Sequence, residues 1–355
     1  MKPALLLLLL LPSAALAAVL DVGEGKTFAR IEDALAKAAA GDTILVHPNR
    51  GNVPYPATAL MVRTPRLTIR AAAPDIVLDG ADYDYSGVGK IPRAIVQFDP
   101  QSDGSTLDGF TLRNARNDSC NGAGVRINQA NDITVTNCHI TANDMGIMSN
   151  GSVADGTGAR QLITHCVINK NGNERKAGYN HNLYLGGADA TVRHCEISRS
   201  VAGHNLKSRA HITRVENCDI RHSANRELDL VDAPGNTDIA DSDAIISGCT
   251  IAKDPHCEGN RNVIHFGQDV GGTHRGTLRI RDTKIQTPFI SPVIFLSDGD
   301  LDLHDTVITD AGARQNGEVV NRRNPASRAT GRGNIYPEKF TSPPEPCPTD
   351  DPHMK

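Results

Sequence analysis

Four short segments of the sequence carry a side chain capable of acid–base or electrostatic chemistry at the same relative place. The segments HNLYLGG, HNLKSR, ELDLV and NVIHFG alternate apolar and other residues, a pattern typical of strands with one buried face. The position between the apolar residues is, in turn, Tyr184, Lys207, Asp229 and His265. We therefore expect these four side chains to form one exposed column across neighbouring strands.

Further polar residues flank this column in the sequence. Two residues before the column position stand Asn182, Asn205 and Glu227, and two residues after it stands Arg209. His181 and His204 begin their strands, and Arg126 holds the column position of an earlier strand. Met148 and Phe295 occupy the column position at its two ends. The expected surface is a polar centre with apolar ends, which suits a groove that binds sugar.

This set of residues suits β-elimination from a uronate sugar. A base must remove the proton beside the carboxylate, a cation must neutralise that carboxylate, and a donor must protonate the leaving oxygen. We expect Arg209 to clamp the carboxylate and Tyr184 to donate the proton. Lys207 and His265 both remain candidates for the base. The remaining candidates are expected to bind substrate: Asn182, Asn205, His181, His204 and Arg126.

The two acidic residues of the surface admit other uses. Two residues apart on a strand, Glu227 and Asp229 have Cα atoms about 6.6 Å apart. With Asn205 they offer oxygen ligands of the kind that Ca²⁺ takes, so Ca²⁺ is a possible cofactor. Two carboxylates at such a distance also suit glycoside hydrolysis. Finally, Lys207 could neutralise the pair as an ordinary ion pair, and outward polar residues often serve solubility alone.

The elements that would position these residues follow from an internal repeat. Seven segments such as VTNCHI and VENCDI close on isoleucine, at Ile140, Ile168, Ile197, Ile220, Ile251, Ile285 and Ile308. The third position of each holds Asn, His, Gly or Asp, types that tolerate a left-handed backbone best and so suit a sharp corner. Cys or Thr follows and shares the inward side with Ile. Stacked coils would bury these positions as ladders, which predicts an all-β parallel solenoid.

Five of the eight cysteines occupy this one repeat position, so we interpret them as small buried residues rather than disulfides. Parallel Cβ vectors between stacked coils suit a disulfide badly. Cys120, Cys257 and Cys347 lie outside the column. One pair of these three could be oxidised, and the sequence does not say which.

The ends of the chain differ from the repeat. Residues 1–17 read as a signal peptide, with Lys2, an apolar run and an A-x-A site, and predict a periplasmic or secreted protein. Residues 18–312 form the solenoid, with a helical pattern over 28–40, and residues 313–355 are expected to be an irregular tail. The formal net charge of −4 and the lack of a second long apolar run argue against nucleic-acid binding and membrane insertion. We expect a monomer.

The chain resembles the pectate-lyase-like superfamily of right-handed parallel β-helices over roughly residues 19 to 312. The segments TFARIEDALAKAAAGDTILVHP and LTIRAAAPDIVLDG resemble its N-terminal part, where a short amphipathic helix caps the first coil. The repeat corners resemble its asparagine ladder. The resemblance implies that Ca²⁺ could replace an arginine clamp, as in several lyases of that superfamily. The acid-x-acid pair only partly resembles the alginate lyase and chondroitin lyase pattern, because Lys207 and Arg209 precede it.

Function is more open than fold, since one fold hosts many activities. Our first hypothesis is an exported lyase that acts on an acidic polysaccharide. A hydrolase or C5-epimerase on the same scaffold is an alternative, although the Asp-Asp and Gly-His-Gly signatures of polygalacturonases are absent. A non-catalytic β-helix that binds glycan or supports assembly of another protein is the alternative from a different class.

Overall fold

The computed structural model describes residues 17–289, 291–310 and 317–347. Nearly all of the predicted signal peptide therefore lies outside the described residues. Within them the chain passes repeatedly through three sheets, because each short strand is followed by a corner that sends the chain to the next sheet. All pairings between neighbouring strands are parallel, and equivalent residues of successive coils lie side by side. The described part of the chain is a parallel β-helix.

The first sheet has 13 strands. They are Val19–Val22, Thr43–Val46, Thr68–Ala71, Thr106–Asp108, Thr134–Thr136, Gln161–Thr164, Asp189–Arg193, Ile212–Glu216, Ala244–Ser247, Thr277–Arg281, Asp300–His304, Ala329–Arg332 and Glu345–Pro346.

The second sheet has nine strands and the third has ten. Those of the second sheet are Ile76–Asp79, Phe110–Arg113, His139–Thr141, Val167–Asn169, Glu196–Ser198, Asp219–Arg221, Thr250–Ala252, Lys284–Thr287 and Val307–Asp310. Those of the third sheet are Leu60–Val62, Ala94–Phe98, Ala123–Asn128, Met145–Asn150, Leu183–Leu185, Leu206–Ser208, Leu228–Val231, Ile264–Gly267, Ile294–Leu296 and Val320–Arg322.

The inward ladders and the corners agree with the repeat. All seven isoleucines that close the repeat, and the Cys or Thr two positions before each, are buried. The corner residues between the first and second sheets have φ between 45° and 63°: Asn137, His165, His194, Asn217, Gly248, Asp282 and Asp305. This is the left-handed region that Asn, Asp and Gly tolerate best. All eight cysteines are free thiols, so no oxidised pair forms among Cys120, Cys257 and Cys347 in this structure.

The helical segments are short. The α-helix covers Ile31–Leu35, less than the 28–40 pattern, and it buries Ile31 and Ala34 against the first strands. After its C-cap at Ala36 the chain passes into turns that lead to Gly41, whose φ is 91°. Three 3₁₀ turns lie at Arg50–Asn52, Pro100–Ser102 and Glu174–Lys176. No helix among the described residues is long and apolar enough to span a membrane.

The solenoid extends past residue 312, where we expected an irregular tail. Val320–Arg322 joins the third sheet, and Ala329–Arg332 joins the first sheet beside Asp300–His304. The sequence here lacks the Cys/Thr-x-Ile motif. In place of a second-sheet strand, Ile335 forms only an isolated bridge to Val307. A coil without its motif is invisible to a search for the repeat.

Candidate functional site

The predicted column lies on the third sheet in the expected register. Tyr184 pairs with Lys207, Lys207 with Asp229, and Asp229 with His265. The same row continues to Met148 and Arg126 on one side and to Phe295 on the other. The alternation of the four strands therefore brings these side chains together, as parallel strands in register require.

The column is not an open surface, however. Loops rise on both sides of it and enclose a cleft of about 580 Å³. At the bottom of this cleft Lys207 is only 8% exposed and Asp229 is fully buried. At its rim Tyr179 and Val270 are largely exposed. The sequence predicts the direction in which the side chains point, but loops from neighbouring coils cover them.

Asp229 is the electrostatic centre of the cleft floor. Its Oδ2 accepts from Lys207 Nζ at 2.6 Å and lies 3.3 Å from His204 Nε2. Its Oδ1 contacts Arg226 Nη1 at 3.0 Å and His265 Nδ1 at 2.9 Å. Burial alone would raise the pKa of this carboxyl, but the four facing groups outweigh it and hold the pKa well below its usual range.

Two stacked histidines form one wall of the cleft, with ring centroids 5.0 Å apart and planes at 12°. The Nδ1 of His181 accepts from the backbone N–H of His204, and the Nδ1 of His204 accepts from that of Arg226. Each neutral ring therefore carries its proton on Nε2. Burial lowers the pKa of His204 to about 4 and that of His181 well below its usual range. Both rings are fixed as neutral donors, so neither is a base.

A second carboxylate joins the two predicted cations. One oxygen of Asp269 accepts from Lys207 Nζ at 2.8 Å and also from Arg209 Nη2. Arg209 Nε in turn donates to the phenol oxygen of Tyr184 at 3.1 Å. Burial opposes the guanidinium charge, but the Tyr184 oxygen and the Asp269 carboxylate prevail and raise the pKa of Arg209. Lysine and arginine thus converge on a single carboxylate oxygen beside a phenol.

The backbone of the loop that carries Asp269 is held by a buried carboxylate. Asp232 is fully buried and accepts from the N–H groups of Asp269, Val270 and Gly272. The Asp269 side chain is 36% exposed, so it borders the open part of the cleft. The sequence reasoning missed Asp269, Asp232 and Arg226. They lie on loops without a repeat, and only their closeness in sequence to the column strands could have drawn attention to them.

No family model and no curated protein sequence matches the chain. Among solved structures, it is similar to a pectate lyase with a TM-score of 0.54 and 12% identity, over 92% of this chain and 78% of that one. It is also similar to a polygalacturonase from Erwinia carotovora, with a TM-score of 0.52 and 10% identity, over 94% of this chain and 96% of that one. The chain is a right-handed parallel β-helix. At these identities the likeness shows the fold alone.

His265 lies beneath the cleft of the β-helix rather than in it. Its Nδ1 contacts Asp229, and its Nε2 contacts Ser297 Oγ at 2.7 Å. The ring is 3% exposed and stacks on Phe295 with centroids 5.0 Å apart. His265 therefore orients Asp229 and does not meet a substrate in the cleft, so its assignment as a candidate base was wrong.

Asn182, Asn205 and Glu227 also differ from the prediction, because they face the interior of the β-helix. Asn182 Nδ2 donates to Asn205 Oδ1 at 2.8 Å, and Asn205 Nδ2 donates to Glu227 Oε2 at 2.5 Å. Asn143 and Asn171 extend the same row toward the N-terminus. All five side chains are fully buried. We call this row the amide ladder; its members do not bind substrate in the cleft.

The amide ladder also argues against the predicted Ca²⁺ site. Glu227 Oε1 accepts from the N–H of Ser223 and Oε2 from Asn205, so its carboxylate is used inside the coil. Burial raises the pKa of Glu227 to about 7, although nearby Lys253 opposes this. Asp229 faces cationic and N–H groups instead of a second acid. A dication beside Lys207 and Arg226 would be repelled, so these residues do not fit Ca²⁺.

Arg126 lies beyond the cleft. It borders a separate depression of about 320 Å³, together with Arg93 and Asp99. Burial and the neighbouring Arg93 lower the pKa of its guanidinium. A further depression of about 640 Å³ lies over the first sheet, but two of its arginines already pair with aspartates: Arg160 with Asp132, and Arg214 with Asp189 at 2.7 Å. The unusual chemistry is concentrated in the cleft of the third sheet.

Proposed function

We propose that this β-helix acts on an acidic polysaccharide and cleaves it by β-elimination beside a uronate carboxylate. One observation carries the proposal: Lys207 and Arg209 both bind one carboxylate oxygen of Asp269 next to the phenol of Tyr184. Two cations that hold a carboxylate of the protein can hold that of a sugar in the same way. The backbone of the Asp269 loop is anchored, so rotation of its side chain alone would admit the substrate.

The proposed reaction assigns a task to each group. Lys207 and Arg209 neutralise the uronate carboxylate, which stabilises the enolate formed when the neighbouring C–H loses its proton. The C–O bond at the adjacent carbon then breaks, a C=C bond forms, and the leaving oxygen takes a proton. Tyr184 carries the proton: its deprotonated oxygen, which accepts from Arg209 Nε, takes the proton from the C–H and then returns it to the leaving oxygen. Lys207 is not assigned this task, because it already donates to two carboxylates. His181 Nε2 donates to the bound sugar, whereas His204 Nε2 faces Asp229 and only positions that carboxylate.

Hydrolysis is less well supported by the same geometry. The acid and base of a glycosidase both reach the scissile bond. Asp229 and Asp269 flank Lys207, but Asp229 is fully buried under four facing nitrogen groups. An epimerase would share the proton-abstraction step of the lyase and differ in leaving the chain uncut. Action on polysaccharide also agrees with the predicted export, which fractionation of cells would test.

The test is turnover of a panel of uronate glycans, followed by absorbance of the new C=C bond and by analysis of chain length. We expect Tyr184→Phe and Arg209→Lys to lower kcat by about 10²- to 10⁴-fold while thermal melts stay close to wild type. Arg214→Lys, on the first sheet, is the matched control and should retain full activity. A panel that stays uncut and without a C=C bond, or a Tyr184→Phe variant with wild-type kcat, would overturn the proposal.

A further inference from the structure

A second group of chemically versatile side chains lies on the first sheet, away from the cleft. Asp302 and His304 stand two residues apart on the strand Asp300–His304, and both point outward because Leu301 and Leu303, which alternate with them, are buried. His304 Nε2 lies 2.5 Å from Asp302 Oδ1. Neither residue contributes to the proposed lyase chemistry.

The C-terminal segment brings a thiol to this pair. Glu345–Pro346 pairs with Ala329–Arg332, and the N–H of Cys347 donates to Gly331 O at 3.3 Å. As a result Cys347 Sγ lies 3.8 Å from His304 Nε2 and 4.0 Å from Asp302 Oδ1. Cys347 is the only one of the eight cysteines that is not buried. A carboxylate oxygen, an imidazole nitrogen and a sulfur therefore converge from two strands of the sheet.

We propose that Asp302, His304 and Cys347 bind Zn²⁺ and thereby fasten the C-terminal segment to the last coils. The three donor atoms can be about equally distant, at about 2.1 Å, from a single point between them, which is close to the distances that zinc prefers. Thiolate, imidazole and carboxylate are all zinc ligands. The equidistant point lies in the plane of the three donor atoms, so Asp302 and His304 must move slightly apart before a water can complete a tetrahedron. Arg281 lies 3.7 Å from Asp302 Oδ2 and leaves Oδ1 to the metal.

The arrangement suits a metal better than a nucleophile. In a catalytic triad the acid and the nucleophile contact opposite nitrogens of the histidine. Here both Asp302 and Cys347 approach the same nitrogen, Nε2, so no proton can be relayed through the ring. A metal ion, in contrast, requires its ligands to approach one point.

The experiment uses the full chain after removal of metal with a chelator. Titration with Co²⁺, a spectroscopic substitute for Zn²⁺, should give about one ion per chain and a thiolate-to-cobalt charge-transfer band. Cys347→Ser should lose that band and bind Zn²⁺ at least about tenfold more weakly. Asp302→Asn, at a half-buried position, should weaken binding while keeping the band. Cys257→Ser is the matched control, because it removes another cysteine outside the ladder and should leave the titration unchanged.

Thermal melts separate metal binding from folding. Zn²⁺ should raise the Tm of wild type and of Cys257→Ser but not that of Cys347→Ser, because an ion stabilises the folded state only of a protein that binds it. In chelator the three proteins should melt together. A wild type without a charge-transfer band, or a Cys347→Ser variant that binds Co²⁺ as wild type does, would overturn the zinc site. Neither measurement depends on the proposed lyase activity.

Discussion

At the scale of single residues, the cleft depends on one buried carboxylate. Asp229 is shielded from water and balanced by ion pairs with Lys207 and Arg226 and by two histidines. Removing one partner of a buried pair leaves the other charge uncompensated, which costs far more than the pair itself contributes. The residue with the largest effect on stability in the cleft is thus not one that touches substrate.

We expect Asp229→Asn to lower the free energy of unfolding by about 3–5 kcal/mol, because it leaves Arg226 facing a neutral amide and leaves Lys207 with Asp269 alone. Denaturant titration at neutral pH would measure the loss. Asp189→Asn is the control, since Asp189 forms a half-exposed ion pair with Arg214 and should cost less than about 1 kcal/mol. Equal effects of the two substitutions would contradict the central role of Asp229.

Asp269 gives a test of how the cations are used. If its carboxylate occupies the place of the sugar carboxylate, Asp269→Asn frees Lys207 and Arg209 and should lower KM several-fold with kcat nearly unchanged. A kcat that falls by about 10²-fold or more would instead place Asp269 in the chemistry itself. Steady-state kinetics on the active glycan distinguish the two, and Asp238→Asn, on another loop, serves as control.

Glu227 links stability to pH. Its folded pKa of about 7 lies above the ordinary glutamate pKa of 4.5, so the stability it contributes is fully present below about pH 4.5 and declines as pH rises to about 7. Melting curves of wild type and Glu227→Gln should therefore differ most in favour of wild type near pH 4.5. The difference should shift toward the variant between pH 4.5 and 7. A difference that stays constant with pH would show that burial does not raise this pKa.

Alternation predicted the direction of side chains within the strands but not that of the residues just before them. Tyr184, Lys207, Asp229 and His265 lie inside strands, so alternation placed them correctly in one column. Asn182, Asn205 and Glu227 come just before strands that begin at Leu183, Leu206 and Leu228. At such a corner the chain turns, and alternation no longer tells inside from outside.

At the scale of elements, the repeat motif determines the register of the sheets. Ile220 is fully buried and pairs with Ile197 and Ile251 in the neighbouring coils. Every coil depends on its two neighbours to cover these side chains. The isoleucine row was predictable because one motif occurs at a fixed place in coils of different length.

Ile220→Asn should lower the free energy of unfolding by about 3 kcal/mol or more, since it buries an amide without partners and removes core contacts. Val167→Asn is a matched control on the same sheet, because Val167 is 36% exposed and its replacement should cost less than about 1 kcal/mol. Thermal or chemical unfolding would compare them. A mild effect at Ile220 would mean that the coil can repack around the amide.

The loops between elements escaped prediction for a physical reason. Their shapes depend on contacts between coils that are distant in sequence, as when Asp232 accepts from backbone groups of residues 269–272. No local pattern encodes such a contact. The sequence therefore predicted the floor of the cleft, whereas its walls, including Asp269 and Arg226, required the structure.

At the scale of the whole molecule, the solenoid architecture was predictable and its C-terminal limit was not. The last coils lack the repeat motif but still add strands to the first and third sheets. Terminal repeats of solenoids are atypical because one of their faces has no neighbour. This difference in surroundings explains why a motif search underestimates the length of the fold.

The amide ladder has a direction, and the direction restricts how such a molecule could grow. From Asn143 to Asn205 every side-chain N–H₂ donates toward the next coil, and the row ends on Glu227, which can only accept while ionised. In a duplicated coil inserted between Asn171 and Asn205, the asparagine oxygen would accept from the coil before, and its N–H₂ would donate to the coil after. In the same coil inserted after Glu227, the asparagine oxygen would face the ionised Glu227 carboxylate, which has no proton to donate. While Glu227 is ionised, the ladder can therefore accept an added coil within its length but not at its Glu227 end.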